Sequence, residues 1–167
     1  MKKLTVIILA FLLFLTFFGC SPKVPEKINL HIDSSYSAEF EGIKLQGLLV
    51  YSETGEMYMD ISTPNELSSL SFSWGESFTL GYHGLNAQTE EGYLPQSAFA
   101  ETVKKTLDDL RLKNYSLDLS GNGSYYARCE NSGGKYEVFT DQSGCIIELR
   151  LKDFIIKLNN RNTSVRQ

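Results

Sequence analysis

Few side chains in this 167-residue chain are of types that do chemistry. There are two histidines, His31 and His83, and three cysteines, Cys20, Cys129 and Cys145. His31 lies between Leu30 and Ile32 on the polar face of an alternating segment, and His83 ends such a segment before Gly84. Neither has a nearby partner at the spacing of a metal site or a catalytic pair. The adjacent acids Glu90-Glu91 and Asp108-Asp109 offer acid/base chemistry by type only. Sequence neighbours point apart on a strand or helix, so both pairs suit solvent better than catalysis. No Gly-x-Ser-x-Gly, His-Glu-x-x-His or phosphate-binding loop occurs. Cys129 and Cys145 have no histidine beside them to make a nucleophilic pair or a metal centre. These residues point away from an enzyme, and they imply no cofactor and no metal.

Cys20 is different, because of what precedes it. Met1-Lys2-Lys3 is basic, Leu4 to Phe18 is almost unbroken apolar sequence, and Gly19 is small. Those 15 residues would make a helix of about 22 Å. A hydrocarbon core is about 30 Å thick, so the length suits an export signal better than a permanent span. The basic start, apolar core and Gly19-Cys20 junction resemble a bacterial lipoprotein signal. That resemblance implies a diacylglyceryl group on the Cys20 thiol and cleavage before it. It places the protein on the extracytoplasmic face of the cell membrane, held by lipid. Two or three acyl chains on one residue hold far more firmly than one. Residues 1–19 are then the signal and 20–27 the lipidated cysteine and tether. Pro22 and Pro25 keep the tether extended, with a reach of at most about 25 Å.

Charge narrows the partners. The signal holds Lys2 and Lys3 and no acid, so residues 20–167 carry 14 bases against 20 acids. From Ile28 to Ala100 there are ten acids and one base, Lys44; from Glu101 onward there are eleven bases and nine acids. The acidic front half disfavours nucleic acid and anionic lipid head groups. It suits a soluble acidic surface or a basic protein partner. Cys129 and Cys145 are read as two strands apart at opposite strand ends. That separation exceeds the roughly 7 Å a disulfide tolerates, so two reduced, largely buried thiols are expected.

The elements follow from periodicity. Ile28 to Phe40, Ile43 to Ser52 and Glu56 to Ser62 alternate apolar and polar residues, broken at Gly42 and at Glu53-Thr54-Gly55. Thr63-Pro64-Asn65-Glu66-Leu67 interrupts the ladder as an edge crossing or a single helical turn. Leu70-Phe72-Trp74 and Phe78-Leu80-Tyr82 make a hairpin about Gly75-Glu76. Gly84 to Pro95 has no period and reads as loop. From Ser97 to about Leu110 the residues Phe99, Val103, Leu107 and Leu110 make a helical stripe, with Ser97 as N-cap. Strands follow at Tyr115–Leu119, Ser124–Glu130, Lys135–Thr140, Cys145–Lys152 and Phe154–Leu158, and 159–167 reads as a flexible tail.

The result is a single mainly β (α+β) domain over 28–158, with eight to ten strands. One helix between two runs of strands favours a strongly curved antiparallel sheet, an open half-barrel with the amphipathic helix on its concave side. That order resembles the lipoprotein-carrier superfamily of LolA and LolB. The likeness is carried by Thr63 to Phe72, by Tyr82-His83-Gly84-Leu85, and by Tyr136 to Ile147. It is also similar to the germination lipoproteins of spore-forming bacteria. The first resemblance implies an apolar ligand or acyl chain in a cavity. Met57, Met59, Phe72, Trp74, Phe78, Leu80 and Tyr82 would line it from the sheet, and Phe99, Val103 and Leu107 from the helix. The residues read by themselves favour a filled core, because a sheet with one helix needs those side chains simply to fold. The alternative is a protein-interaction module that regulates a cell-envelope enzyme through its sheet edge or acidic face. Replacing Cys20 by Ser is expected to move the protein from the membrane fraction to the soluble one; unchanged retention, read by fractionation and immunoblot, would count against the lipid anchor.

Overall fold

The computed structural model describes residues 24–25, 27–89, 94–95 and 98–160. The signal, Cys20, most of the tether and the end of the tail lie outside the described residues, as do Glu90, Glu91 and Ser97.

The chain is mainly β. Eleven strands form one open antiparallel sheet: β1 (Ile32–Phe40), β2 (Ile43–Tyr51), β3 (Met57–Ile61), β4 (Leu70–Trp74), β5 (Phe78–Tyr82), β6 (Leu85–Thr89), β7 (Asp118–Leu119), β8 (Tyr125–Asn131), β9 (Gly134–Thr140), β10 (Ile146–Arg150) and β11 (Ile155–Asn160). One helix, α1 (Phe99–Leu112), stands between β6 and β7. Strand order is β6-β5-β4-β3-β2-β1-β11-β10-β9-β8-β7. Two meanders are thus sewn together by the first and last strands, with Ser35 opposite Asn159 and Glu39 opposite Ile155.

Most strands are where the alternation put them. Met57, Met59 and Ile61 are buried while Tyr58 is exposed, as a half-buried strand requires. Four expectations are corrected. The strands number eleven, because β6 occupies part of the segment read as loop. Four of its five residues are exposed and the fifth is half-buried, so it has no buried face to impose a period of two. The first strand starts at Ile32 rather than at Ile28; Asn29 instead makes an isolated parallel bridge to Cys145. Asn159 and Asn160 belong to β11, not to a tail, since they pair with β1. At the helix start Ala98 precedes α1 without a side-chain cap.

The helix runs along the central strands. Its first residue, Phe99, packs against Tyr36 and Phe40 of β1 and against Phe154 before β11, with ring centroids 5.0–6.0 Å apart. Val103 and Leu107 are fully buried, and Leu110 nearly so. Burial extends beyond the apolar stripe to Glu101 and Lys104, which form i,i+4 ion pairs with Lys105 and Asp108.

One glycine decides how β1, β2 and β3 fit. Gly47 lies opposite Tyr36. The Tyr36 hydroxyl donates to the Asp60 carbonyl oxygen at 2.9 Å, and the Asp60 carboxylate accepts the Leu48 N–H at 2.8 Å. A Cβ on Gly47 would sit 2.0 Å from that carbonyl oxygen. Gly47→Ala is therefore expected to lower unfolding stability by about 2–4 kcal/mol in urea titration. Gly75→Ala, with nothing near its Cβ position, should change it by less than about 0.5 kcal/mol.

Candidate functional site

Nine of the ten residues proposed to line a cavity belong to the core or pack against it. Met57, Met59, Trp74, Phe78, Phe99, Val103 and Leu107 are buried in one core cluster, and Phe72 and Leu80 pack against it. Tyr82 stands apart at 43 % exposure, at the end of its strand. None of the ten lines any of the clefts described below, and the space beside α1 between Thr102, Thr106 and Phe154 is about 30 Å³, room for a water. Nine of these side chains form core rather than a pocket.

Asp108 and Asp109 are half-buried rather than turned out to solvent. They diverge, as neighbours on a helix must, but each ends on tyrosines. The Tyr51 hydroxyl of β2 donates to Asp108 Oδ1 at 2.8 Å, and Lys104 Nζ pairs with Oδ2 at 2.5 Å. The Tyr136 hydroxyl of β9 and the Tyr115 hydroxyl both donate to Asp109 Oδ2, at 2.6 and 2.5 Å. Lys113 Nζ pairs with Asp109 Oδ1 at 2.7 Å. The two carboxylates therefore fasten α1 to both meanders. A signal for this was present in the sequence: carboxylates in the last turns of a helix oppose its dipole and need other partners. Buried tyrosines likewise need an acceptor.

The electrostatics fit a lock better than a catalyst. Burial pushes the Asp109 carboxyl up, but hydrogen bonds from Lys113, Tyr115 and Tyr136 outweigh it and hold the group below its usual range. Burial first, and then Asp109, raise Tyr115 and Tyr136. Burial pushes the Cys129 thiol up to about 11, which keeps it protonated and a poor nucleophile. The groups that shift here all move away from neutrality, so none is tuned for proton transfer near pH 7.

Cys129 and Cys145 are unpaired thiols. Cys129 is buried opposite Tyr136, whereas Cys145 is half-exposed in the turn before β10. His31 and His83 are both exposed, and His83 has φ +50 in the two-residue turn that joins β5 to β6.

Two clefts share Lys113 and Tyr115. One, of about 600 Å³, lies between the segment 27–30, Glu53, the end of α1 and Ser143. The other, of about 780 Å³, lies between Lys113, Tyr115 and the ends of β8, β9 and β10, with Arg128, Lys135 and Arg150 on its rim.

The two sheet edges differ. At one, β7 has only two residues, and beyond it Lys113 Nζ donates to the Glu130 carbonyl of β8 at 3.1 Å. Short strands and an edge lysine are the usual guards against pairing with another chain. At the other, β6 reads Leu85-Asn86-Ala87-Gln88-Thr89, with no charge, no proline and unbroken register to β5. Leu85 is 76 % exposed. His83 and Gly84 both have positive φ, so Tyr82 and Leu85 flank a two-residue turn. In such a turn the flanking pair exchanges hydrogen bonds, and the backbone groups of Asn86 and Gln88 face away from β5.

No sequence profile of a known protein family matches the chain, and no curated protein sequence is significantly similar to it.

Asp109→Ala is expected to cost roughly 2–4 kcal/mol, because it strands the Tyr115 and Tyr136 hydroxyls. The pH dependence has a definite sign. A carboxyl lowered by folding adds stability that is present above its unfolded value and lost as pH falls through its folded value. Unfolding free energy should thus decline below about pH 3.8, the ordinary value for this group. Asp109→Asn should flatten that part of the profile in denaturant titrations from pH 5 to 2, and an unchanged slope would refute the assignment.

Proposed function

We propose that this chain is an exported lipoprotein, anchored by a diacylglyceryl group on Cys20 at the extracytoplasmic face of the cell membrane. It is a non-enzymatic module that docks on another protein of the cell envelope, and β6 is the docking strand. The observation that carries this reading is the contrast between the two sheet edges. One is shortened and plugged by a lysine, while the other presents five uncharged residues to solvent. An exposed edge of this kind accepts an extended segment of a partner as an added strand, with main-chain hydrogen bonds for affinity. Leu85 and Tyr82 give the partner apolar contacts beside it.

In this reading the sheet curves as an open half-barrel with α1 on its concave side, as the likeness to the lipoprotein carriers implies. Contacts of one helix with Tyr36 and Tyr51 in the first meander and with Tyr136 in the second support that shape. A closely filled interior moves recognition to the surface, which favours protein docking over carriage of an acyl chain.

The test uses the full-length chain in its own cells, with a photoreactive side chain at Leu85. The expected result is a discrete protein adduct, identified by mass spectrometry. Gln88→Pro, which removes an outward-facing N–H, should cut that adduct at least tenfold with the β circular dichroism spectrum unchanged. Absence of an adduct, together with a stoichiometric acyl lipid in the native mass spectrum, would return the protein to the carrier class.

A further inference from the structure

Two cations of the second half of the chain, Arg111 and Lys113, lie where the tether enters the domain. Lys27, the last residue of the tether, lines the 600 Å³ cleft with Arg111 and Lys113 from the end of α1. The tether is pinned there. The Asn29 N–H donates to the Gly144 carbonyl at 2.8 Å, and a Cβ on Gly144 would come within 2.7 Å of the Lys27 carbonyl oxygen. Lys113 is paired with Asp109. Neither Lys27 nor Arg111 has a carboxylate within ion-pairing distance among the described residues. Glu53 is the one acid lining the cleft, and Asn114 adds an exposed amide. The opposite end of the central strands carries both signs: Glu39, Glu41 and Asp153 line a further cleft there with Lys44, Lys152 and Lys157.

We infer that this end of the domain faces the bilayer, and that Lys27 and Arg111 bind the phosphate of an anionic lipid head group in the cleft. The inference rests on the anchoring proposed above. From Cys20 to Lys27 the chain reaches at most about 25 Å, so the cleft is the part of the domain tied closest to the membrane. Each base near an anionic surface strengthens association about fivefold. The negative end of the α1 dipole meets the same place, and Arg111 and Lys113 offset it.

Amine footprinting tests this on the full lipidated chain, reconstituted in nanodiscs of phosphatidylcholine alone or with phosphatidylglycerol. Acetylation of Lys27 should fall at least fivefold in the phosphatidylglycerol discs. Lys44 and Lys157, exposed at the other end of the central strands, should label equally in both. Arg111→Gln should restore most of the Lys27 labelling. Equal Lys27 labelling in both discs, on chain that still co-elutes with them, would overturn the docking and leave the anchor standing. Equal protection by soluble glycerol phosphate would overturn it in favour of a free-anion site, and protection of Lys44 or Lys157 would overturn the orientation. Chain that fails to co-elute with either disc would remove the anchor and the inference together.

Discussion

Among the described residues a single α-helix has to serve eleven strands, and much of the structure follows from that constraint. A sheet buries one face or does not fold, and α1 supplies little more than Phe99, Val103, Leu107 and Leu110 to do it. The remainder is made up by large side chains of the sheet itself. Tyr36, Tyr51, Met57, Met59 and Phe78 are almost wholly buried, and Trp74 packs against Phe72 and Phe78. Methionines and aromatics that would suit an adaptable ligand cavity are the same residues that a thinly covered sheet needs as filler. That competition for apolar volume is why the interior is full.

Burying so many tyrosines creates a second demand. Each hydroxyl taken from water needs an acceptor, and here backbone and carboxylate oxygens supply them. Tyr36 uses the Asp60 carbonyl, and Gly47 must stay bare to let it pass. Tyr51 and Tyr136 use Asp108 and Asp109. Two adjacent acids thereby tie the helix to strands more than eighty residues apart in sequence. Asp108 and Asp109 are thus spent on holding the fold together, and the recognition proposed above falls on the surface, along β6 and around the mouth of the tether.

Much of this was legible locally. The hairpin of Leu70–Trp74 and Phe78–Tyr82, the crossing at Pro64 and the stripe from Phe99 to Leu110 all stand where periodicity put them. The β6 strand was not, because it is bare on both faces and hydrophobic alternation only reports a face that is buried. The fate of Asp108 and Asp109 was misread for a related reason. Their positions off the stripe were correct, but the tyrosines that reach them come from β2 and β9 and leave no mark near residue 108.

By itself the sequence determined the β class, the one amphipathic helix, the apolar leader ending at Cys20 and the uneven division of charge. Each of these is a local property, set by the side chain's own preference for water or core and by its spacing along the chain. Only the tertiary structure decided that first and last strands pair, that one sheet edge is guarded and the other open, and that Lys27, Arg111 and Lys113 share a cleft. Those are relations between residues far apart in sequence, fixed by how strands stack in register around a common core rather than by anything either partner carries alone.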